Sequence, residues 1–164
     1  MSRRLMKLLS RSPETMVFRI AKREHEALLV ALRLRSHLSR GRRSIASDTP
    51  REDKLRSAEE DLAAALKEHR DALTSGTESL LADTARFSPQ KGGGYHLTLA
   101  PADSEMLLQA LNDVRVGVWE KLGCPDFEGG DRPELNDENF LCFWALQVTD
   151  LFQGVLLAAL SGEE

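Results

Sequence analysis

The chain has 164 residues, 41% of them hydrophobic and 29% charged, with a formal net charge of −4. These values suit a single folded core and argue against global disorder. Only nine residues are aromatic, too few to build both a core and a ring platform for stacking bases. Cys124 and Cys142 form no CxxC and no metal-ligand spacing, so a reducing compartment is expected. The apolar stretches near the start, Leu5–Met6 and Leu8–Leu9, are too short for a signal-peptide core, and the expected location is the cytoplasm.

Charge is unevenly placed. Residues 1–43 carry twelve Lys or Arg against Glu14, Glu24 and Glu26, a net of +9, whereas residues 44–164 carry ten against twenty-three, a net of −13. The two halves either neutralise each other on folding or leave a basic face for an anionic partner.

In chain order, residues 1–14 read as a basic arm ending at Ser12-Pro13, ahead of one domain over 15–164. Met16, Phe18 and Ile20 alternate, which predicts a short strand over 16–20. A helix follows over about 22–38, with Ala27, Leu28, Ala31, Leu32 and Leu38 on one side. The segment 39–50, SRGRRSIASDTP, is polar and reads as a mobile linker. The next helix, about 51–73, carries a narrow stripe of Leu55, Ala58, Leu62, Ala65, Leu66, His69 and Leu73, and Gly76 is read as its break. A short extra helix over 77–83 and a mobile loop around Pro89 and Gly92–Gly94 are expected next. Tyr95, Leu97 and Leu99 alternate as a second strand, expected to pair with the first. Pro101 at a first helical position and Asp103 in the first turn open a helix to Leu122. An acidic loop over 126–135 leads to Asn136, expected to cap a last helix over about 137–160. That helix is apolar almost all round. Gln147, Thr149, Asp150 and Gln153 in its middle favour a buried core helix over a membrane span.

A shift of 79 residues superposes the two halves. It aligns Phe18 with Leu97, Ile20 with Leu99 and six identities in a twenty-residue window, from Ala21 on Ala100 to Leu32 on Leu111. The expected fold class is therefore helix-dominated α+β, mostly α with a small two-stranded β element, with a strand–helix–helix internal repeat as one reading and chance similarity of leucine-rich helices as the other.

Catalytic signatures are absent: there is no HExxH, no G-x-S-x-G and no GxGxxG. Lys91 precedes its three glycines, the wrong order for a phosphate loop. Asp126, Glu128, Asp131 and Glu134 miss the calcium-loop spacing. His25 lies between two glutamates on different helix faces, a poor metal cage. No metal or cofactor is expected, and no catalytic motif assigns a reaction, which leans against an enzyme without deciding the point. The distinctive stretch is Asn112, Asp113, Arg115 and Trp119. Arg115 falls within the apolar arc of Leu108, Leu111, Val118 and Leu122, so it is expected to be buried and to pair with Asp150, the carboxylate inside the last helix. A buried pair of this kind costs about 3–5 kcal/mol when one partner is removed.

The segment LNDVRVGVWEKLG, preceded by LTLAPADSEMLLQA, resembles the signature helix of a bacterial family of unknown function, domain of unknown function 2017. The early strand and the Glu26-Ala27-Leu28-Leu29 helix are similar to that family's N-terminal half. The chain departs from the family at Gly117-Val118-Trp119 and in its basic linker. The resemblance implies a small cytosolic protein with no assigned activity. It also implies a gene neighbourhood that often includes the adaptor of the Clp protease. Three readings follow for function. The first is a regulatory or adaptor-type protein-interaction module, with self-association open and Asn112, Asp113, Arg115, Trp119 and Asp150 as candidate contacts. The second is nucleic-acid binding through Arg33, Arg40, Arg42 and Arg43. The third is an enzyme or small-ligand-binding protein built around Asn112, Asp113 and Arg115.

Overall fold

The computed structural model describes residues 6–38 and 52–162. Strands β1 (Met6–Arg11) and β2 (Met16–Ile20) form a hairpin, followed by helix α1 (Lys22–Leu34) and a 3-10 turn over Arg35–His37. Helix α2 (Glu52–Ala82) leads to a second hairpin, β3 (Phe87–Pro89) and β4 (Tyr95–Leu99), followed by α3 (Pro101–Lys121) and α4 (Phe140–Ser161). The four strands make one antiparallel sheet in the order β1-β2-β4-β3. The fold is thus helix-dominated α+β, but the two-stranded element expected from the sequence is half of the sheet that exists.

Two outer strands were hidden for physical reasons. Met6–Arg11, read as part of a free arm, pairs with β2, and its register slips between Leu8 and Ser10. That bulge at Leu9 breaks the period-2 pattern that would have announced a strand. Phe87–Pro89, read as loop, is only three residues long, and its proline is tolerated because β3 is an edge strand. Gly76 does not end a helix either. A Cβ there would lie 2.6 Å from the Met106 sulfur, so the flexible end of that α3 side chain occupies the space over the glycine while the helix runs on to Ala82.

The expected pairing of 16–20 with 95–99 is present, with Met16 opposite Leu99, Phe18 opposite Leu97 and Ile20 opposite Tyr95. The 79-residue shift exchanges the members of these pairs. It also carries the Leu8–Phe18 pair of the first hairpin onto the Phe87–Leu97 pair of the second. Helix starts follow the same rule. The Ala21 amide donates to the Glu24 carboxylate at 2.7 Å, and the Ala100 amide to the Asp103 carboxylate at 3.0 Å. The repeating unit is therefore hairpin–helix–helix, one strand more than the sequence reading proposed.

Met6, Met16, Phe18, Ile20, Phe87, Leu97 and Leu99 point from the sheet into one core with Leu28, Leu32, Leu107, Leu111, Phe152 and Leu156 from the helices. The C-terminal halves of α2 and α4 correspond: Leu73, Thr77 and Leu80 are buried, as are Phe152, Leu156 and Ala159 at +79. The N-terminal halves do not. Ala145 is buried against α3, whereas its counterpart Leu66 is exposed, along with Leu55 and Leu62.

The difference arises because α1 stops early. The chain turns at Arg35, and Leu38 crosses onto α3, where Gly117 has no side chain and a Cβ would meet the Leu38 side chain at 2.8 Å. Arg35 fastens this turn. Its guanidinium donates to Asp113 of α3 at 3.1 and 3.0 Å and to Thr74 of α2 at 2.9 Å. The linker at 39–50, with Arg40, Arg42 and Arg43, lies outside the described residues.

Helix α4 is the one described helix long and apolar enough to cross a membrane. Here Ala145, Val148, Phe152, Leu156 and Ala159 face the protein, while Phe140, Leu141, Leu151 and Leu157 are exposed. The expectation of a helix buried in the core is corrected: one side is core, and the other is open and carries Gln147 and Asp150 among exposed apolar residues.

Candidate functional site: a cleft between the third and fourth helices

Side chains from α3 and α4 leave a cleft of about 520 Å³, lined by Asn112, Arg115, Val116, Trp119, Phe127, Phe143, Leu146, Gln147 and Asp150. This volume lies in the range that holds a small ligand or a large side chain. The floor is apolar, from Val116, Phe143 and Leu146, and the two rings of Trp119 and Phe127 stand at its margin. Behind α3, Leu34 and Leu38 pack with Val114 and Val118, so the wall of the cleft is braced by the turn that Arg35 holds.

The loop after α3 supplies Phe127 and is held by its own polar groups. Gly123 and Cys124 both take left-handed backbone (φ 86° and 55°), the second at the steric cost of a non-glycine residue. This double turn brings the loop back, and the Trp119 indole donates to the Pro125 carbonyl at 3.0 Å. Asp126 accepts from the Gly129 amide and Asp131 from the Asp126 amide, both at 2.8 Å. These two carboxylates therefore organise the loop. Among the described residues no three His, Cys, Asp or Glu side chains converge as metal ligands.

The residues singled out from the sequence divide. Asn112, Arg115, Trp119 and Asp150 all line the cleft. Asp113 does not; it points to the other side of α3 and receives Arg35. Arg115 and Asp150 do meet, at 3.8 Å, but with 49% and 67% of their side chains exposed. The expected burial of Arg115 is thus corrected. The buried arc of α3 is Ser104, Leu107, Ala110, Leu111, Val114, Gly117 and Val118, and Arg115 follows Val114 by 100°, which sets it at the rim. Arg33 is exposed near the end of α1.

Sequence reasoning passed over Val116, Phe127, Phe143 and Leu146. The signal for three of them was present. Val116 precedes Trp119 by three, and Phe143 precedes Leu146 and Gln147 by three and four, the spacings that share one helix face. Phe127 had none, because a loop residue's direction is set by the Gly123–Cys124 turn.

No protein-family model, no curated protein and no solved structure matches this chain.

Proposed function

We propose that the protein is an adaptor-type interaction module whose partner docks in the α3/α4 cleft. The observation that supports this most is exposed apolar surface beside a formed hollow. Trp119 and Phe127 are each 37% exposed at the cleft, and Phe140, Leu151 and Leu157 are further exposed apolar side chains on α4. Large exposed apolar side chains cost solubility, and contiguous ones mark interaction sites. Aromatic side chains around a pocket with a polar rim match the composition of interface hot spots. The likeness of Leu111–Gly123 to the family of unknown function belongs to the same proposal and would give it a cytosolic setting. The cleft also has room for a small ligand, but Asp113, one of the three residues on which that reading rested, is engaged elsewhere.

Affinity capture from the native host tests the reading. The wild type is compared with Gln147→Arg, which blocks the cleft from an exposed position, and with Leu62→Lys on the far part of α2. A discrete partner retained by Leu62→Lys and lost with Gln147→Arg is expected. A partner retained equally by both variants removes the cleft from the account.

A further inference from the structure

We infer that the segment docked in the cleft is a peptide presenting one large apolar side chain between lysines or arginines. This rests on the docking reading above and adds the chemistry of the partner. Three observations lead to it.

The first is the pairing of polar groups at the rim. Asn112 and Gln147 face the cleft from opposite helices, and neither carboxamide has a partner among the described residues. Two carboxamides offer donors and acceptors together, the complement of a main-chain peptide unit rather than of an ion. A backbone segment lying across the rim can satisfy both while its side chain goes down onto Val116, Phe143 and Leu146.

The second is the loose ion pair. At 3.8 Å and with both members largely in water, Arg115 and Asp150 hold each other weakly. Their separation leaves the Asp150 carboxylate able to accept from an incoming cation without stranding Arg115, which stays solvated.

The third is the charge of the chain segment that supplies the cleft. Apart from Asp113, which faces the other side of α3, residues 112–150 carry eight carboxylates against Arg115, Lys121 and Arg132. Glu120 and Glu128 directly follow the ring residues Trp119 and Phe127, and Asp137 and Glu138 directly precede the exposed turn into Phe140; all four are exposed. An acidic segment brought here meets repulsion, and a basic one is steered in.

A random-peptide display library selected on the full chain tests the inference, with Gln147→Arg as the counter-selection. Peptides lost on Gln147→Arg should share one Leu, Ile, Met or aromatic residue with Lys or Arg within about two positions. A blocked synthetic peptide of that kind should bind at least tenfold more tightly than its version with Ser at the apolar position. The double variant Glu128→Gln, Asp150→Asn should weaken it by about two- to fivefold per lost charge at low salt. Enrichment of acidic peptides, or of peptides whose binding ignores the flanking charge, overturns the inference while leaving the docking reading in place. Failure to enrich any cleft-dependent peptide, in a host where cleft-dependent capture succeeds, overturns it as well, because the partner is then not recognised as a short segment.

Discussion

Replacing Asp113 with alanine should be among the more destabilising single changes outside the apolar core. Arg35 has 10% of its side chain exposed and makes both of its charge-assisted contacts to one Asp113 oxygen, with Thr74 as its remaining partner. Charged hydrogen bonds contribute about 1.5–3 kcal/mol, and breaking a buried pair costs about 3–5 kcal/mol. Asp113 is 28% exposed, which discounts the upper figure, and Thr74 still engages the stranded guanidinium. The expected loss is about 2–3 kcal/mol, a shift well resolved by urea denaturation with an unchanged slope. Changing Arg35 to Met and Asp113 to Leu together should cost less than the two single changes added, since neither member of this pair then remains without the other. Single-variant losses below about 0.5 kcal/mol, the usual size for surface changes, would show that the turn at Arg35 is held by Leu38 packing alone. Strict additivity in the double variant would show that the two groups are not coupled.

Asp150→Ala should shift stability by no more than about 1 kcal/mol, as an exposed pair does, and thermal unfolding would distinguish this from the 3–5 kcal/mol of a buried pair. His25 lies against the rings of Phe87 and Tyr95, at centroid distances of 4.9 and 4.3 Å, with Nε2 buried and unpartnered. Burial lowers its pKa below 6.5, opposed in part by Glu26. The unfolded chain therefore binds the proton more readily, and stability should fall as the pH drops through 6.5 towards the folded-state value. His25→Gln should flatten that part of the pH profile, read by denaturant midpoints, and an unchanged slope would place the titration elsewhere. Gly94→Ala should be costlier than Gly93→Ala. Both have positive φ, but only at Gly94 would the Cβ meet backbone, the Ile20 carbonyl, at 2.7 Å. Equal denaturant midpoints for the two variants would contradict this.

The parts of the fold legible in the sequence were those written in strong periodicity. Phe18 and Leu97 alternate cleanly with their neighbours, and the 79-residue shift between them encodes the pseudo-two-fold of the sheet. The outer strands were illegible because a bulge at Leu9 and the shortness of Phe87–Pro89 erased the period, leaving pairing to be decided by neighbours distant in sequence. The site was half legible. Asn112, Arg115, Trp119 and Asp150 stood out as polar or aromatic residues on apolar helices, and the structure gathers them at one cleft. Asp113 and the depth of Arg115 were misjudged for one reason. A helical wheel gives angular order but not the centre of the buried arc, which here is fixed by Leu38 crossing at Gly117.

The docking cleft is tested most directly by a photo-crosslinking amino acid at position 147, expressed in the native host and compared with the same group at Thr98 on the open face of the sheet. A single discrete adduct from position 147, absent from position 98 and suppressed by Val116→Arg in a protein that still unfolds cooperatively, is the predicted result. Adducts from position 98 alone, or identical adducts from both, would place the partner on the sheet and contradict the account.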